Sequence, residues 1–152
     1  MTAIEQWLGA VLPAVQARSG DDFAGVGLLF YSDRSALPVH PLVAADLQPV
    51  VPAVSQAQCI ELLANISRRA SVCHDGFHLV QATTLTITDV SQFLSPPIPA
   101  KPLPLEQPGG ARNMAARLAS LLPSVALVAV FTSPSEVMVY QGGHRRRLAV
   151  CF

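Results

Sequence analysis

The chain has 152 residues, of which 51% are hydrophobic and only 13% are charged. This length fits a single domain spanning residues 1–152. Ten basic and ten acidic side chains give a net charge of zero, which argues against a nucleic-acid partner, because a nucleic-acid groove needs a basic excess. Cys59, Cys73 and Cys151 lack CxxC spacing, so we predict buried free thiols rather than a disulfide framework or a zinc site.

The distribution of apolar residues argues against a membrane-spanning protein and against a secreted one. No apolar run reaches the roughly 18 residues that a bilayer-spanning helix requires, so we predict no membrane span. The first residues lack a basic segment followed by an apolar core, which a signal peptide would show. We therefore expect a cytoplasmic protein.

The first half of the chain alternates helical and strand patterns. Apolar spacing predicts a helix over residues 3–18, kinked or split at Pro13, and then a buried strand over residues 24–31. The proline-rich stretch 32–54 predicts one short strand or turn. A second helix is expected over residues 55–69, because the serine at its start is a favourable N-cap.

The second half continues this alternation. A strand should follow Asp75, and residues 83–90 alternate polar and apolar side chains as a strand does. Residues 95–108 hold six prolines and predict an irregular loop. The remaining expected elements are a helix at 111–122 and strands at 124–131, 136–140 and 146–151. This order favours an α/β or α+β fold in which helices flank a mixed central β-sheet.

A polar turn opens the strand after Asp75. His74, Asp75 and Gly76 are consecutive, and the carboxylate of Asp75 could bind a metal or accept a proton from a hydroxyl. The same residues also fit an Asx-type turn in which Asp75 caps local N–H groups. Spacing alone leaves both interpretations open, and it favours packing rather than ligation for His78.

A glycine pair opens the predicted helix at residue 111. Gly109 and Gly110 would let a ligand approach the backbone closely, and Arg112 lies in the first turn. Unpaired N–H groups at a helix N-terminus and a guanidinium fork together suit a phosphate. An ordinary loop-to-helix junction with a surface arginine explains the same residues.

As an ordered pair, these two segments resemble motifs of diadenylate cyclase domains. Residues 71–80 resemble the Leu-His-Asp-Gly-Ala motif of that family, and residues 110–116 resemble its Gly-Thr-Arg-His-Arg-Ala-Ala motif. The similarity is clearest over residues 55–148. It implies the family's reaction, in which two facing protomers, each holding one ATP, produce cyclic di-AMP. A homodimer, ATP or cyclic di-AMP as ligand, and Mg²⁺ or Mn²⁺ in an active enzyme are therefore expected.

The resemblance also implies roles for individual residues. Asp75 would be the catalytic group that activates the 3′-hydroxyl, and His74 and Asp75 would lie at the metal. The nucleotide and its phosphates would be bound by four further residues: Gly76, Gly110, Arg112 and Asn113.

Several positions of the second motif differ from the family pattern. Ala111 replaces threonine, Asn113 replaces histidine and Met114 replaces the second arginine. The groups that are lost are donors to phosphate, and phosphoryl transfer relies mostly on positioning and electrostatic stabilisation. We therefore predict a degenerate adenine-nucleotide-binding domain that acts as a sensor or scaffold. The alternatives are an active divergent cyclase, in which Asn113 replaces the histidine functionally, and a protein-interaction module without a nucleotide pocket.

Overall fold

The structure, a computed structural model, describes residues 1–106, 109–133 and 136–152. Within these ranges the chain forms three α-helices and seven β-strands. The helices are α1 (Ala3–Ser19), α2 (Gln56–Ile66) and α3 (Ala111–Ala119). The strands are β1 (Val26–Tyr31), β2 (Val39–Pro41), β3 (Phe77–Gln81), β4 (Thr86–Leu94), β5 (Val125–Ser133), β6 (Glu136–Gln141) and β7 (His144–Leu148).

The strands form one mixed sheet in the order β2-β4-β3-β1-β5-β6-β7. Only β1 and β3 run parallel among the described strand pairs, and α2 lies in the crossover that connects them. All other neighbours are antiparallel. This arrangement confirms the predicted α+β fold with a mixed central sheet flanked by helices.

The two faces of the sheet have separate hydrophobic cores. Side chains alternate between faces along β1: Leu28 and Phe30 pack with α1 and α2, while Leu29 and Tyr31 pack with α3. Every residue of β1 is buried, as expected for a central strand covered on both sides.

Helix α1 runs as one helix through Pro13, so of the predicted kink or split the split is wrong. Thr2 and Glu5 form a reciprocal capping box at its start, which satisfies N–H groups that would otherwise be unpaired. Leu8 and Leu12 are fully buried, and this packing offsets the backbone hydrogen bond that a proline removes. The predicted N-cap of α2, Ser55, forms the same kind of box with Gln58.

Two strands begin later or earlier than predicted. β4 starts at Thr86 rather than residue 83, because the Gln81 side chain accepts hydrogen bonds from the N–H groups of Thr83 and Thr84, both at 2.8 Å, and forms a turn. β7 begins at His144 instead of residue 146, directly after the Gly142-Gly143 turn.

Other segments agree in part with expectation. Residues 95–106 form no helix or strand, as predicted, and residues 107–108 of that predicted loop lie outside the described residues. Helix α3 ends three residues earlier than residue 122. Cys59 and Cys73 are buried free thiols, but the Cys151 thiol is exposed, which corrects that prediction. No helix in the described ranges combines the length and apolar character needed to cross a membrane.

Gly27 provides the space that the Phe77 ring occupies. A Cβ atom at Gly27 would lie 2.8 Å from Cδ1 of Phe77, whose side chain is only 4% exposed. We expect Gly27→Ala to lower the free energy of unfolding by about 1–3 kcal/mol, as overpacked cores do. Phe77→Leu in the same chain should recover part of that loss, measured by urea denaturation of the double-mutant cycle. Strictly additive losses would contradict a direct contact.

Candidate functional site

Four chain segments meet at one end of the sheet. The parallel strands β1 and β3 both begin there, β5 ends there, and α3 starts above it. A Cβ atom built on Gly25 would lie 3.3 Å from Nη1 of Arg112 and 3.4 Å from Cα of Thr132. The turn at Asp75 precedes β3 at the same end.

A groove of about 340 Å³ lies between the Asp75 turn and α3. Its volume falls at the lower end of the range of small-molecule sites, roughly 300–1,000 Å³. The polar part of its lining is formed by Asp75, Gly76 and Arg112. Apolar and small side chains complete it: Leu42, Phe77, Phe93, Leu94, Ala111 and Ala115. The structure therefore brings residues of both sequence motifs together in one concave surface.

Gly76 is required by the backbone and by its surroundings. Its φ is +78°, and an added Cβ atom would lie 2.5 Å from the carbonyl oxygen of Gln92. Gly110, the N-cap of α3, has a φ of +97° but open space where a side chain would be. Both conformations favour glycine, so the two motif glycines also have structural reasons to be glycine.

Asp75 forms the acidic side of the groove, and His74 lies beside it. The Asp75 side chain is 69% exposed, and its Oδ1 lies 3.5 Å from Nε2 of His74. The Nδ1 atom of His74 lies 2.7 Å from the carbonyl oxygen of Ser71.

The described residues supply only part of a metal site. They contain no group of three or more His, Cys, Asp or Glu side chains that could hold an ion by themselves. Mg²⁺ is commonly held by one or two carboxylates together with substrate phosphates. Asp75 fits that kind of site, with a phosphate-bearing ligand supplying the remaining oxygens.

Arg112 carries the positive charge of the groove. Its guanidinium is half-buried and has no hydrogen-bond or ion-pair partner among the described residues. Burial lowers the pKa of Arg112, and the nearby Asp75 carboxylate opposes that shift. Withdrawing a charge from water without a close partner is unfavourable, so an anionic ligand would supply what this side chain lacks.

Asn113 lies on a different side of α3. Its Nδ2 donates to the carbonyl oxygen of Gly109 at 3.1 Å, and its Oδ1 accepts from the Tyr140 hydroxyl at 2.6 Å. Together with Gly110 and Arg117 it borders a separate cavity of about 20 Å³. The structure thus places Asp75, Gly76 and Arg112 in the groove with His74 beside them, whereas Gly110 and Asn113 face the smaller cavity.

His78 is the buried side chain that spacing predicted as a packing residue. It has no exposed surface, and its Nδ1 accepts a hydrogen bond from the Ser91 N–H at 3.0 Å. Burial, and to a lesser extent the charge of Arg112, lowers the pKa of His78 to about 3. His78 is therefore neutral in the folded protein at physiological pH.

Sequence reasoning missed Gly25 and the apolar rim of the groove. Gly25 has a φ of +95° and leaves space for the Arg112 guanidinium. Its only signal is a glycine one residue before a buried strand. Leu42 and Phe93 are large apolar side chains that remain about half exposed at the rim. Their side chains belong to distant segments, and sequence gives no sign that they meet.

No protein-family model and no curated protein matches the sequence. Solved structures do match. A hypothetical membrane-spanning protein from Bacillus cereus superimposes with a TM-score of 0.66 at 19% identity, over 94% of this chain and 64% of that chain. This chain therefore spans less than two-thirds of that protein.

The second comparison is with DacA from Staphylococcus aureus, solved as a double mutant. It gives a TM-score of 0.59 at 17% identity, over 95% of this chain and 87% of that chain. At such identities the likeness establishes a common fold and nothing finer. The protein thus has the α+β fold of DacA, built on a mixed sheet with helices on both faces.

Proposed function

We propose that the protein is a nucleotide-binding domain of the diadenylate cyclase type that binds ATP or cyclic di-AMP as a sensor or scaffold. The observation that supports it most directly is the half-buried Arg112 guanidinium. It has no acceptor among the described residues and faces the same groove as Asp75 and Gly76. A cation held in this way suits phosphate, because Arg binds phosphate oxygens through a fork of N–H donors.

The groove offers complementary surfaces to the parts of a nucleotide. Arg112 and the N–H groups at the start of α3 would hold phosphate, aided by the positive end of the helix dipole. The apolar rim at Leu42 and Phe93 would cover a base or ribose. Asp75 would contact the 3′-hydroxyl or a bound Mg²⁺ or Mn²⁺, and such an ion would supply charge stabilisation to the phosphates.

Slow or absent turnover follows from the groups that the second motif lacks. Ala111 has no hydroxyl to donate, and both polar groups of the Asn113 amide already bond to Gly109 and Tyr140. The exposed Met114 carries no charge. Phosphoryl transfer depends on preorganised donors around the transferring group. We therefore infer that this protein retains nucleotide binding, whereas its catalytic turnover is slow or lost.

A homodimer completes the proposal, since a cyclase of this type joins two ATP molecules held by two facing copies. The half-exposed Leu42 and Phe93 at the groove rim would lie where a second copy approaches. Sedimentation with and without cyclic di-AMP tests this part directly. A dinucleotide shared by two grooves should shift the protein towards the dimer.

The first test is calorimetry of the purified protein with ATP and with cyclic di-AMP, followed by incubation with ATP and Mn²⁺ or Mg²⁺. We expect at least one nucleotide to bind and less than stoichiometric cyclic di-AMP to accumulate. Robust synthesis that Asp75→Asn abolishes would instead identify an active divergent cyclase. Absence of binding at millimolar concentrations of both ligands would favour an interaction module.

A further inference from the structure

Two polar side chains are buried directly behind the Asp75–Gly76 turn. Ser91 of β4 and His78 of β3 both have no exposed surface. Pairing between β3 and β4 is irregular at this point, with register shifts around Leu79. A strand interior covered on both faces ordinarily carries apolar side chains, so a serine and a histidine here call for a specific reason.

Their hydrogen bonds lead to the turn. The Ser91 hydroxyl donates to the carbonyl oxygen of Asp75 at 2.9 Å, and the Ser91 N–H donates to Nδ1 of His78 at 3.0 Å. The Nε2 atom of His78 is buried and has no partner among the described residues. The histidine therefore satisfies the serine backbone while one of its own polar atoms remains unpaired.

Ser91 also adopts a backbone conformation that serine rarely takes. Its φ is +50°, in the left-handed region. Such conformations persist where the surrounding structure imposes them, and they concentrate at functional sites. The next residue, Gln92, places its carbonyl oxygen against Gly76. Ser91 and Gln92 of the irregular β4 segment thus contact Asp75 and Gly76 on the side of the turn that faces the sheet.

The side chain of Asp75 has little to fix it on the solvent side. It is mostly exposed, and its Oδ1 atom lies 3.5 Å from Nε2 of His74. The hydrogen bond that the Ser91 hydroxyl donates to the backbone carbonyl oxygen of Asp75 orients the peptide between Asp75 and Gly76. That orientation sets where the carboxylate enters the groove.

We propose that Ser91 is the positioning residue for the Asp75–Gly76 turn and that His78 holds Ser91 in its left-handed conformation. We call Ser91, His78 and the hydrogen bonds that link them to the turn the brace. The inference rests on the proposed function and deepens it, because the brace would present Asp75 to a nucleotide. The brace itself can be measured in the protein without ligand.

The experiment compares Ser91→Ala and Ser91→Gly with Ser120→Ala. Both Ser91 variants lose the hydroxyl and therefore the hydrogen bond to Asp75. Glycine also relieves the strain of the positive φ, so Ser91→Gly should have a higher melting temperature than Ser91→Ala. Ser120→Ala is the matched control, because the buried Ser120 hydroxyl donates to Arg117 and accepts from Gly143 at the other end of α3.

Amide NMR signals of Gly76 and Phe77 should move in both Ser91 variants without ligand and stay in place in Ser120→Ala. ATP affinity by calorimetry should fall about tenfold in both Ser91 variants, the effect of losing one hydrogen bond. His78→Asn keeps an acceptor oxygen near the Nδ1 position and should preserve the Gly76 signal. His78→Leu should shift that signal.

The possible outcomes separate the brace from the nucleotide. Unmoved Gly76 and Phe77 signals in both Ser91 variants would refute the brace, whatever ATP does. Moved signals with unchanged ATP affinity would refute its role in presenting Asp75. If the signals move and the wild-type protein binds neither ATP nor cyclic di-AMP, the brace stands and the proposed function is wrong.

Discussion

Arg112→Met should weaken ATP binding by about 100-fold, equivalent to one or two charge-assisted hydrogen bonds, without destabilising the fold. Methionine keeps most of the apolar stem and removes only the guanidinium. That group has no hydrogen-bond or ion-pair partner in the described residues. Its removal from a half-buried position should leave the free energy of unfolding unchanged or raise it by about 1 kcal/mol.

Arg117→Met, on the same helix, should have the opposite effect: it should lower stability and leave ATP affinity unchanged. The Arg117 side chain is only 8% exposed; it donates to the carbonyl oxygens of Gly143 and Pro104 and pairs with Glu106. Removing the guanidinium leaves the buried carbonyl oxygen of Gly143 without this donor, which costs about 1–3 kcal/mol, while Glu106 keeps Arg145 at 3.7 Å. We expect a large loss of stability, with ATP affinity of the remaining folded protein close to that of wild type.

Calorimetry with ATP and urea denaturation of both variants therefore give a crossed pattern. Arg112→Met should lose affinity and keep stability, whereas Arg117→Met should lose stability and keep affinity. Stability that falls by several kcal/mol in Arg112→Met would show that its guanidinium has a structural partner. Unchanged ATP affinity in that variant would remove the main support for an anion site.

Helical geometry explains why the second motif was only partly interpretable from sequence. On an α-helix, side chains three or four positions apart lie on the same face. Arg112 faces the groove with Ala111 and Ala115, whereas Asn113 shares the face of Arg117. The motif alone groups Arg112 and Asn113 together; the periodicity of α3 separates them.

Local signals predicted the elements well, because caps and apolar periodicity act over a few residues. Ser55 at the start of α2 is such a case. The start of β4 was wrong because a single side chain, Gln81, orders the preceding turn. Gly25 and Ser91 could not be identified at all. Their importance lies in contacts to Arg112 and Asp75, which are distant in sequence.

Acidification from pH 7.5 to pH 5 should lower the free energy of unfolding by about 2 kcal/mol through His78 alone. In the folded protein the pKa of this buried histidine is about 3, against an ordinary value of 6.5. Folding therefore favours the neutral form. The contribution is fully present above pH 6.5 and is lost as the pH falls towards 3, at about 1.4 kcal/mol per pH unit.

His78→Asn removes the titrating group and should flatten the stability profile between pH 7.5 and pH 5, measured by urea denaturation at each pH. His144→Asn is the matched control, because it makes the same replacement at an exposed histidine. The pKa of Glu5 is lowered by its hydrogen bond to the Thr2 backbone and by Arg146, so its contribution is lost only below its ordinary value of 4.5, outside this window.

The pH dependence of stability also reports on the interaction between Arg112 in the groove and the buried His78. The charge of Arg112 contributes to the low pKa of His78, so Arg112→Met should raise that pKa, and the loss of stability on acidification should level off at a higher pH, below pH 5. A bound phosphate would neutralise Arg112 and act in the same direction. Equal slopes in wild type and His78→Asn would contradict a neutral buried histidine. If the loss of stability levels off at a higher pH in Arg112→Met than in wild type, the charge of Arg112 acts on His78 behind the Asp75 turn.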